Sequence, residues 1–547
     1  MGLLIALLCA LCGAAHAVST RQFSLDSATV LSAGKLAGAA VLSSGAIVPS
    51  VSVKRIALPN VGLARSLLVR KDGTALVGTG NDGKIFKLAG DAVTPFCDTG
   101  ELLVSSLVET PDGALYAGTL PHGKIFAIDK QGKATLFAKP EGAEHIWALL
   151  YDAKKQTLFA ATGPQGKVFA IGKNGKPDVY YTGKASHVMA LAQGPNGSLY
   201  AGTSDDALLL RLDAPGRFEV VYDFEGNEVT TLAVKDGRIA VAANQFQRPS
   251  IPSTDKKKDE TKKDDQQSTD KTEVKKDMPK PGTGDLWVVE PSGQARKLFS
   301  STDDGHITAV QWAPNGAIFA ATGKDGHIFR VEQDGTNALW IDVDERQVLD
   351  LALTGDQPMF VTGDAGAIYR VLPGPASEAL WTSKVLDAQF PSRFGQLSWR
   401  GRGKLSFQTR SGNTEKADDG WSAWSSPLTE PGPIRSPGAR FLQVRTRLDP
   451  KADSILYAVQ AYYLPGNQPA TVKDITVKPV PRKGGADGDP SPSYRIEWKT
   501  DNPDGDKLRY RLDFRPEDRP SWRPMLRETE ILTATTYEWS TDGVPDG

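Results

Sequence analysis

The feature that most constrains this chain is a motif that recurs seven times between Leu63 and Leu380. Clear copies contain Leu-Tyr-Ala-Gly-Thr at 199–203 or Leu-Phe-Ala-Ala-Thr-Gly at 158–163. The residues that open the copies are spaced by 40, 42, 42, 41, 78 and 41 positions; they are Leu63, Leu103, His145, His187, Glu228, His306 and Gln347. A period of about 41 residues made of four short apolar runs predicts a β-propeller with four-stranded blades.

The predicted fold is therefore all-β, with a seven-bladed propeller over residues 61–385 and an eight-bladed ring as the alternative. Residues 18–60 are predicted to form N-terminal clasp strands. Within them, Lys35–Val48 resembles the first two strands of a blade, and Val53–Leu58 stands where a fourth strand would precede the first blade. We expect these strands to pair with the last blade, because a closed ring leaves no exposed strand edge.

One step of the repeat is longer than the others, which indicates an insertion in the fifth copy. Between Thr254 and Asp277 the chain has eight lysines and eight acidic residues. Such a segment cannot bury enough apolar surface to fold, so we predict a disordered insertion over 248–283. Its charges cancel, and the whole chain has a net charge of −1, so no nucleic-acid partner is expected.

The N-terminus predicts export. An apolar run, Gly2–Ala14, precedes Ala15-His16-Ala17, which is typical of a signal peptide over 1–17. The run is too short to cross a bilayer, and we predict no membrane span within 1–547. Of three cysteines only Cys97 lies beyond the signal, so no intrachain disulfide is expected. The predicted location is the bacterial periplasm or the extracellular space.

Histidines at the openings of the repeats suggest a metal site. The turn into each first strand lies on the propeller face where the channel opens, so His145, His187, His306 and Glu228 would share the channel mouth. Imidazole and carboxylate are ligands of Zn²⁺ and related metals, and a propeller lyase holds its metal with histidines of separate blades, an analogy of fold alone. The alternative is that histidine was copied with the repeat.

Lysines and aspartates supply two further candidate sites. Lys84, Lys124 and Lys167 follow glycines in equivalent loops, and together they would form a basic surface for an acidic glycan or another anion. The alternative is ordinary solvated lysines. Asp501, Asp504 and Asp506 share one loop and would supply oxygen ligands for Ca²⁺, although Asp-Pro-Asp-Gly is also good turn chemistry.

Two more β modules are predicted after the repeat. Residues 386–468 have the strand spacing of a β-sandwich, and there Trp421 and Trp424 are predicted to stack with Arg445 and Arg447 as a cation–π ladder. Residues 469–547 resemble the first five strands of a fibronectin type III module. Because that fold needs seven strands, we expect the module to be incomplete at residue 547.

The motifs together resemble a group of exported bacterial propeller proteins. Their blades are similar to NHL, YVTN and WD40 blades, and a β-sandwich and a fibronectin-like module follow the ring. The resemblance covers nearly the whole chain and implies no activity. The leading hypothesis is a non-catalytic binding or scaffolding protein whose propeller face and sandwich modules contact protein or glycan. The alternatives are a metal-dependent lyase or hydrolase that uses the mouth histidines, and the extracytoplasmic region of a sensor.

Overall fold

The N-terminal elements do not form a sheet of their own. The computed structural model describes residues 19–246, 282–301, 305–480, 493–503, 505, 507–515 and 520–541. Each of the first five strands pairs with a distant part of the chain. These elements are β1 (Arg21–Leu25), α1 (Ala28–Ser32), β2 (Lys35–Ala37), β3 (Ala39–Leu42), β4 (Ala46–Pro49) and β5 (Val53–Ala57).

The first four copies of the repeat form four separate four-stranded antiparallel sheets, each from consecutive strands. Blade one is β6 (Ala64–Val69), β7 (Ala75–Thr79), β8 (Lys84–Ala89) and β9 (Ala92–Asp98); blade two is β10 (Leu103–Glu109), β11 (Leu115–Leu120), β12 (Ile125–Ile128) and β13 (Ala134–Ala138); blade three is β14 (His145–Asp152), β15 (Thr157–Gly163), β16 (Lys167–Ile171) and β17 (Pro177–Thr182); blade four is β18 (Val188–Gln193), β19 (Leu199–Thr203), β20 (Leu208–Ala214) and β21 (Arg217–Asp223).

The last three copies continue the same pattern with two departures. Blade five contains the insertion between its second and third strands, and blade seven takes its fourth strand from the N-terminus. Blade five is β22 (Glu228–Lys235), β23 (Arg238–Gln245), β24 (Thr283–Val289) and β25 (Ala295–Ser301); blade six is β26 (Ile307–Trp312), β27 (Ile318–Thr322), β28 (His327–Val331) and β29 (Asn337–Asp342); blade seven is β30 (Gln347–Ala352), β31 (Met359–Gly363), β32 (Ala367–Val371) and β5.

A hydrogen bond that recurs from blade to blade explains the Thr of the repeat motif. In blade one the buried Thr79 hydroxyl donates to the backbone oxygen of Lys84 at 2.9 Å. The equivalent Thr119 and Thr162 hydroxyls donate to Lys124 and Lys167 at 2.9 and 3.0 Å. A hydroxyl at this position therefore satisfies a backbone group where the chain turns from the second strand to the third.

The ring closes through strands far apart in sequence. First strands of neighbouring blades pack against one another around the ring, and β30 of blade seven packs against β6 of blade one. β5 pairs with β32, with Ile56 opposite Ile368, so the N-terminal segment completes the last blade. This pairing matches the expected role of Val53–Leu58 as a fourth strand, and it removes the open edge of blade seven.

A second β region shares one core with the N-terminal elements and with blades five and six. Its elements are β33 (Ala379–Thr382), β34 (Leu386–Arg402), β35 (Leu405–Gly412), β36 (Gly432–Pro433), β37 (Ala439–Leu448), a 3₁₀ turn (Pro450–Ala452) and β38 (Ile455–Pro465). The predicted propeller boundary at 385 assigns β33 to the ring, but β33 pairs with β2 and β37 instead. The reason is that β5 already occupies the fourth position of blade seven.

The C-terminal strands form a smaller sheet. They are β39 (Thr471–Pro479), β40 (Ser493–Asp501), β41 (Asp513–Phe514), β42 (Arg523–Pro524) and β43 (Thr536–Ser540). β40 lies between β39 and β43, and every residue of β39 is exposed. Residues 508–514 contribute only β41 and an isolated bridge from Tyr510 to Leu532. The fibronectin-like assignment stays a prediction.

The prediction of an all-β propeller fold is confirmed by the strand arrangement. The predicted signal peptide, 1–17, lies outside the described residues, as does the predicted insertion apart from Gly282 and Thr283, the latter of which begins β24. Among the described residues, no helix has the length and apolar character needed to cross a membrane.

Candidate functional site

The innermost strand of every blade has a β-bulge at the same place. The register shifts at the residue two positions after each opening residue, and a bulged residue is left out of the ladder, which bends the strand and changes the direction of its side chain. The residues at this position are Arg65, Ser105, Trp147, Met189, Thr230, Thr308 and Leu349.

Five of the seven bulged residues meet in one cavity. Those of blades one, four, five, six and seven line a single cavity of about 170 Å³ together with Phe246, His306 and Ile307. Side chains from five blades reach one cavity only where the blades converge, so this cavity is part of the central channel. The sequence analysis placed the candidate site at the opening residues, whereas the channel lining comes mainly from residues two positions later.

Hydroxyl groups at the bulges join neighbouring blades. Thr230 donates to the backbone oxygen of Ile307 in the next blade at 3.1 Å, and Thr308 donates to that of Val348. Ser105 donates to Ile146 of blade three in the same way. Because these hydroxyls are used between blades, they hold the channel wall in a fixed shape.

Arg65 carries the positive charge of the cavity. Its guanidinium donates one long hydrogen bond, from Nη1 to the backbone oxygen of Leu349 at 3.4 Å. Burial lowers the pKa of Arg65, while the nearby carboxylate of Asp350 opposes that shift. The Asp350 oxygens accept backbone hydrogen bonds from Leu67 at 2.9 Å and Leu351 at 2.8 Å. The bond to Leu67 also links blade seven to blade one.

His306, which directly precedes β26 of blade six, lines the same cavity. Its ring packs against Phe246 with centroids 4.9 Å apart. Gly323 leaves room for the imidazole, because a Cβ there would lie 2.2 Å from it. Burial lowers the pKa of His306, which favours the neutral ring. Within the described ranges, no hydrogen bond to either ring nitrogen is formed.

The other two candidate histidines form a cluster with a bulged tryptophan. The Trp147 indole donates to Nδ1 of His187 at 3.0 Å, and the His145 and His187 ring centroids lie 5.5 Å apart. Burial, followed by the neighbouring His145, lowers the pKa of His187. Nδ1 of His145 is buried and has no hydrogen-bond partner among the residues that the structure describes. Gly163 makes room for His187, since a Cβ there would lie 1.9 Å from its ring.

The four predicted metal ligands are not gathered at one point. His145 and His187 are neighbours, His306 contacts Phe246, and Glu228 forms a backbone bridge with Ser204. Across the described part of the chain, no three His, Cys, Asp or Glu side chains lie close enough to hold one metal ion. Metal binding by these residues stays a prediction from the sequence.

The three candidate lysines each have a partner in the loops. Lys84 pairs with Asp82 at 3.0 Å, and that contact raises the pKa of Lys84. Lys124 pairs with the buried Glu101 at 2.7 Å. Lys167 donates to the side-chain oxygen of Gln165 at 2.8 Å. Two of the three charges are thus balanced locally, which weakens the predicted basic surface.

Of the three candidate calcium ligands only one can be placed. Asp504 and Asp506 lie outside the described residues, and Asp501 pairs with Lys473 at 2.7 Å.

The predicted ladder of tryptophans and arginines is present, but one of its two arginines differs from the prediction. Arg410 lies over both Trp421 and Trp424, at 5.5 and 4.6 Å from their ring centroids, and Arg445 lies over Trp424 at 4.3 Å. Arg410 takes the place predicted for Arg447, because the strand β35 pairs beside β37 and brings it there. Arg447 instead pairs with Glu378 at 2.7 Å.

A larger cleft of about 530 Å³ lies between the N-terminal strands, blades six and seven, and β33. Its charged groups already bind one another. Asp342 accepts from Lys35 at 3.2 Å and from the Leu36 backbone at 2.9 Å, and Tyr369 donates to Glu345 at 2.6 Å. These contacts attach the N-terminal segment to the ring, so we assign the cleft a structural role.

Comparison with solved structures gives neighbours of low sequence identity. Virginiamycin B lyase from Staphylococcus aureus is 12% identical with a TM-score of 0.47, covering 58% of this chain and 98% of that one. The WD40 propeller domain of Doa1 is 10% identical with a TM-score of 0.43, covering 58% and 95%. No family model and no curated protein matches the sequence.

Proposed function

We propose that this protein is an exported, non-catalytic binding protein whose main recognition surface is the channel mouth of the propeller, with the sandwich modules as further contact surfaces. The observation that carries the proposal is the set of ring side chains at the mouth. His145, Trp147 and His187 form one cluster, and Phe246 and His306 form another.

The chemistry of the mouth favours a glycan over a protein as ligand. Aromatic faces beside hydrogen-bonding groups in a concave site suit sugar rings, which present apolar faces and hydroxyl groups. The ring side chains are held by stacking and by the Trp147 hydrogen bond. Export is supported by the apolar N-terminal run and the Ala-His-Ala pattern that follows it.

The test is binding of purified envelope polysaccharides to the full chain, measured by isothermal calorimetry or surface plasmon resonance. Trp147→Ala should weaken binding about tenfold or more, as expected for loss of a central aromatic contact. The matched control is Trp522→Ala, which removes an exposed tryptophan far along the chain. Equal loss in both variants, or binding of protein ligands only, would contradict a glycan site at the mouth.

A metal-dependent lyase or hydrolase is the second candidate, and the adjacency of His145 and His187 favours it. Two imidazoles at this separation leave further ligands to be supplied by substrate or water. If this candidate holds, purified protein retains about one equivalent of metal, and His187→Ala loses it. Trp147→Ala would then raise metal affinity, because the Trp147 indole donates to Nδ1 of His187 and leaves neither nitrogen of the neutral ring with a free lone pair for a metal.

A further inference from the structure

The channel cavity brings together two side chains that are able to hydrogen-bond to an anion. It holds one cationic side chain, Arg65, and one imidazole, His306, in a wall otherwise formed by apolar groups and hydroxyls already in use. Both residues are only partly buried, so a solute that enters the channel is able to reach their nitrogen atoms and form charge-assisted hydrogen bonds there.

The guanidinium has most of its hydrogen-bonding capacity available. Arginine has five N–H donors, and within the described structure Arg65 uses one of them, in the long bond to Leu349. Asp350 balances part of its charge through space, but no direct ion pair joins the two side chains among the contacts of the described residues, and both Asp350 oxygens accept from backbone amides.

The cavity is large enough for a small group. Its volume of about 170 Å³ is many times the roughly 10 to 15 Å³ that one water needs. The planar fork of arginine matches the two oxygens of a carboxylate or phosphate, and an imidazole can donate to a third acceptor.

We propose that the central channel binds an oxyanion, a carboxylate or a phosphate group of the ligand, between Arg65 and His306. This inference rests on the proposed function, because it gives the chemistry of the ligand that the mouth recognises. The ligand is then an acidic glycan, whose sugar rings contact the aromatic clusters while the anionic group enters the channel. The site is distinct from the loop lysines, which have partners of their own.

The test uses the full chain and three small probes: glucuronate, inorganic phosphate and neutral glucose. Glucuronate or phosphate should bind in calorimetry and glucose should not, and the two anions identify which source of oxyanion is preferred. Arg65→Lys keeps the charge and removes the planar fork, and we expect about ten- to a hundredfold weaker binding, as for loss of charge-assisted hydrogen bonds. Arg70→Lys is the matched control, because Arg70 lies beyond the same strand and pairs with Glu109.

A second measurement reads anion binding in the unmodified chain and uses a variant only to assign one signal. The chain has six histidines, so the imidazole proton signals are few, and the His306 signal, assigned by His306→Gln, should shift when the anion binds. Anion binding that survives Arg65→Lys unchanged, or that leaves His306 unshifted, overturns the inference. Glycan binding that depends on Trp147 without any anion binding would overturn this inference alone, whereas anion binding without glycan binding would overturn the proposed glycan function and leave the anion site.

Discussion

Blade two and blade seven have the same architecture but are assembled differently. Blade two is built from four consecutive strands within Leu103–Ala138. Blade seven needs β5, which lies about 300 residues earlier in the chain than β32. The outer strand of blade two carries an exposed Leu136, whereas Ile56 in the outer strand of blade seven is buried, with 7% of its surface exposed. The repeat therefore specifies each blade, and the N-terminal segment specifies where the ring closes.

The N-terminal segment also joins the ring to the second β region. β2 pairs with β33, β3 pairs with β29 of blade six, and β1 pairs with β38. Apolar residues of all three parts share one core, including Leu31, Trp312 and Trp381. Closure of the ring and attachment of the neighbouring module are thus coupled through the same segment, residues 21–57.

The largest loss of stability is expected at the junction, where the N-terminal segment, the ring and the second β region share one core. Trp381 is fully buried, and its indole donates to the backbone oxygen of Leu31 at 2.9 Å. Trp381→Ala should cost roughly 3 to 5 kcal/mol, because it leaves a cavity and an unpaired carbonyl. Thermal melting and limited proteolysis of the N-terminal segment measure this loss. Trp522→Ala, at an exposed tryptophan, is the control and should change little; equal melting of both variants would disprove a structural junction at Trp381.

The next largest loss of stability is expected from a comparison of the outer strands of blades seven and two. Ile56→Ala in β5 should cost about 2 to 4 kcal/mol, since a buried aliphatic side chain is lost from the closing strand. Leu136→Ala in β13 of blade two should stay within about 0.5 kcal/mol, because Leu136 is 52% exposed. The free energy of unfolding of each variant is measured from its melting curve. If Leu136→Ala is as damaging as Ile56→Ala, the closing strand has no special role.

A smaller loss of stability is expected when the hydroxyl of Tyr369 is removed. The Tyr369 hydroxyl of blade seven donates to the nearly buried Glu345 at 2.6 Å, and Arg55 of β5 binds the other oxygen at 2.7 Å. Tyr369→Phe should cost about 1 to 2 kcal/mol, because it removes a hydrogen bond to a buried carboxylate. The control is Tyr116→Phe in blade two, where no hydrogen bond of the hydroxyl is present among described contacts. A neutral Tyr369→Phe would show that Arg55 alone satisfies Glu345.

The sequence predicts most of the ring because its signals are local. Each apolar run, turn and Thr of the repeat acts within a blade, and the Thr79 bond spans five residues. The placement of β33 and of the N-terminal strands depends on pairing between segments hundreds of residues apart. The repeat indicates a fourth-strand role for Val53–Leu58, but no periodicity reports the pairing of β2 with β33 or of β3 with β29.

The candidate site was predicted less completely for a related reason. The opening residues are visible in the repeat, but the bulge that follows them selects the residue two positions later as channel lining. The polar Arg65, Thr230 and Thr308 at this fixed offset are the signal in the sequence that identifies the lining. In the ladder, Arg410 replaces Arg447 because cross-strand pairing of β35 with β37 decides which arginine reaches the tryptophans.

The smallest expected effect is a difference in the pH dependence of stability between the channel mouth and the junction of the N-terminal segment with the ring. Burial lowers the pKa values of His187 and His306 at the channel mouth below the ordinary value of 6.5. The unfolded chain therefore takes up protons first as the pH falls below about 6.5, and stability present above that value is lost on acidification.

The pH dependence contributed by Asp342 at the junction has the opposite sign. Burial raises its pKa, so its unfavourable contribution at neutral pH is relieved as the pH falls toward about 4, the value of an exposed carboxyl.

The measurement is the melting temperature between about pH 8 and about pH 5, a range chosen to cross the ordinary histidine value. His306→Asn should flatten the loss of stability on the acid side, because the neutral amide does not titrate. Asp342→Asn should make the acid loss steeper, because the opposing contribution of the carboxyl is removed. Identical pH profiles for the two variants would show that mouth and junction do not differ in the way their buried groups titrate.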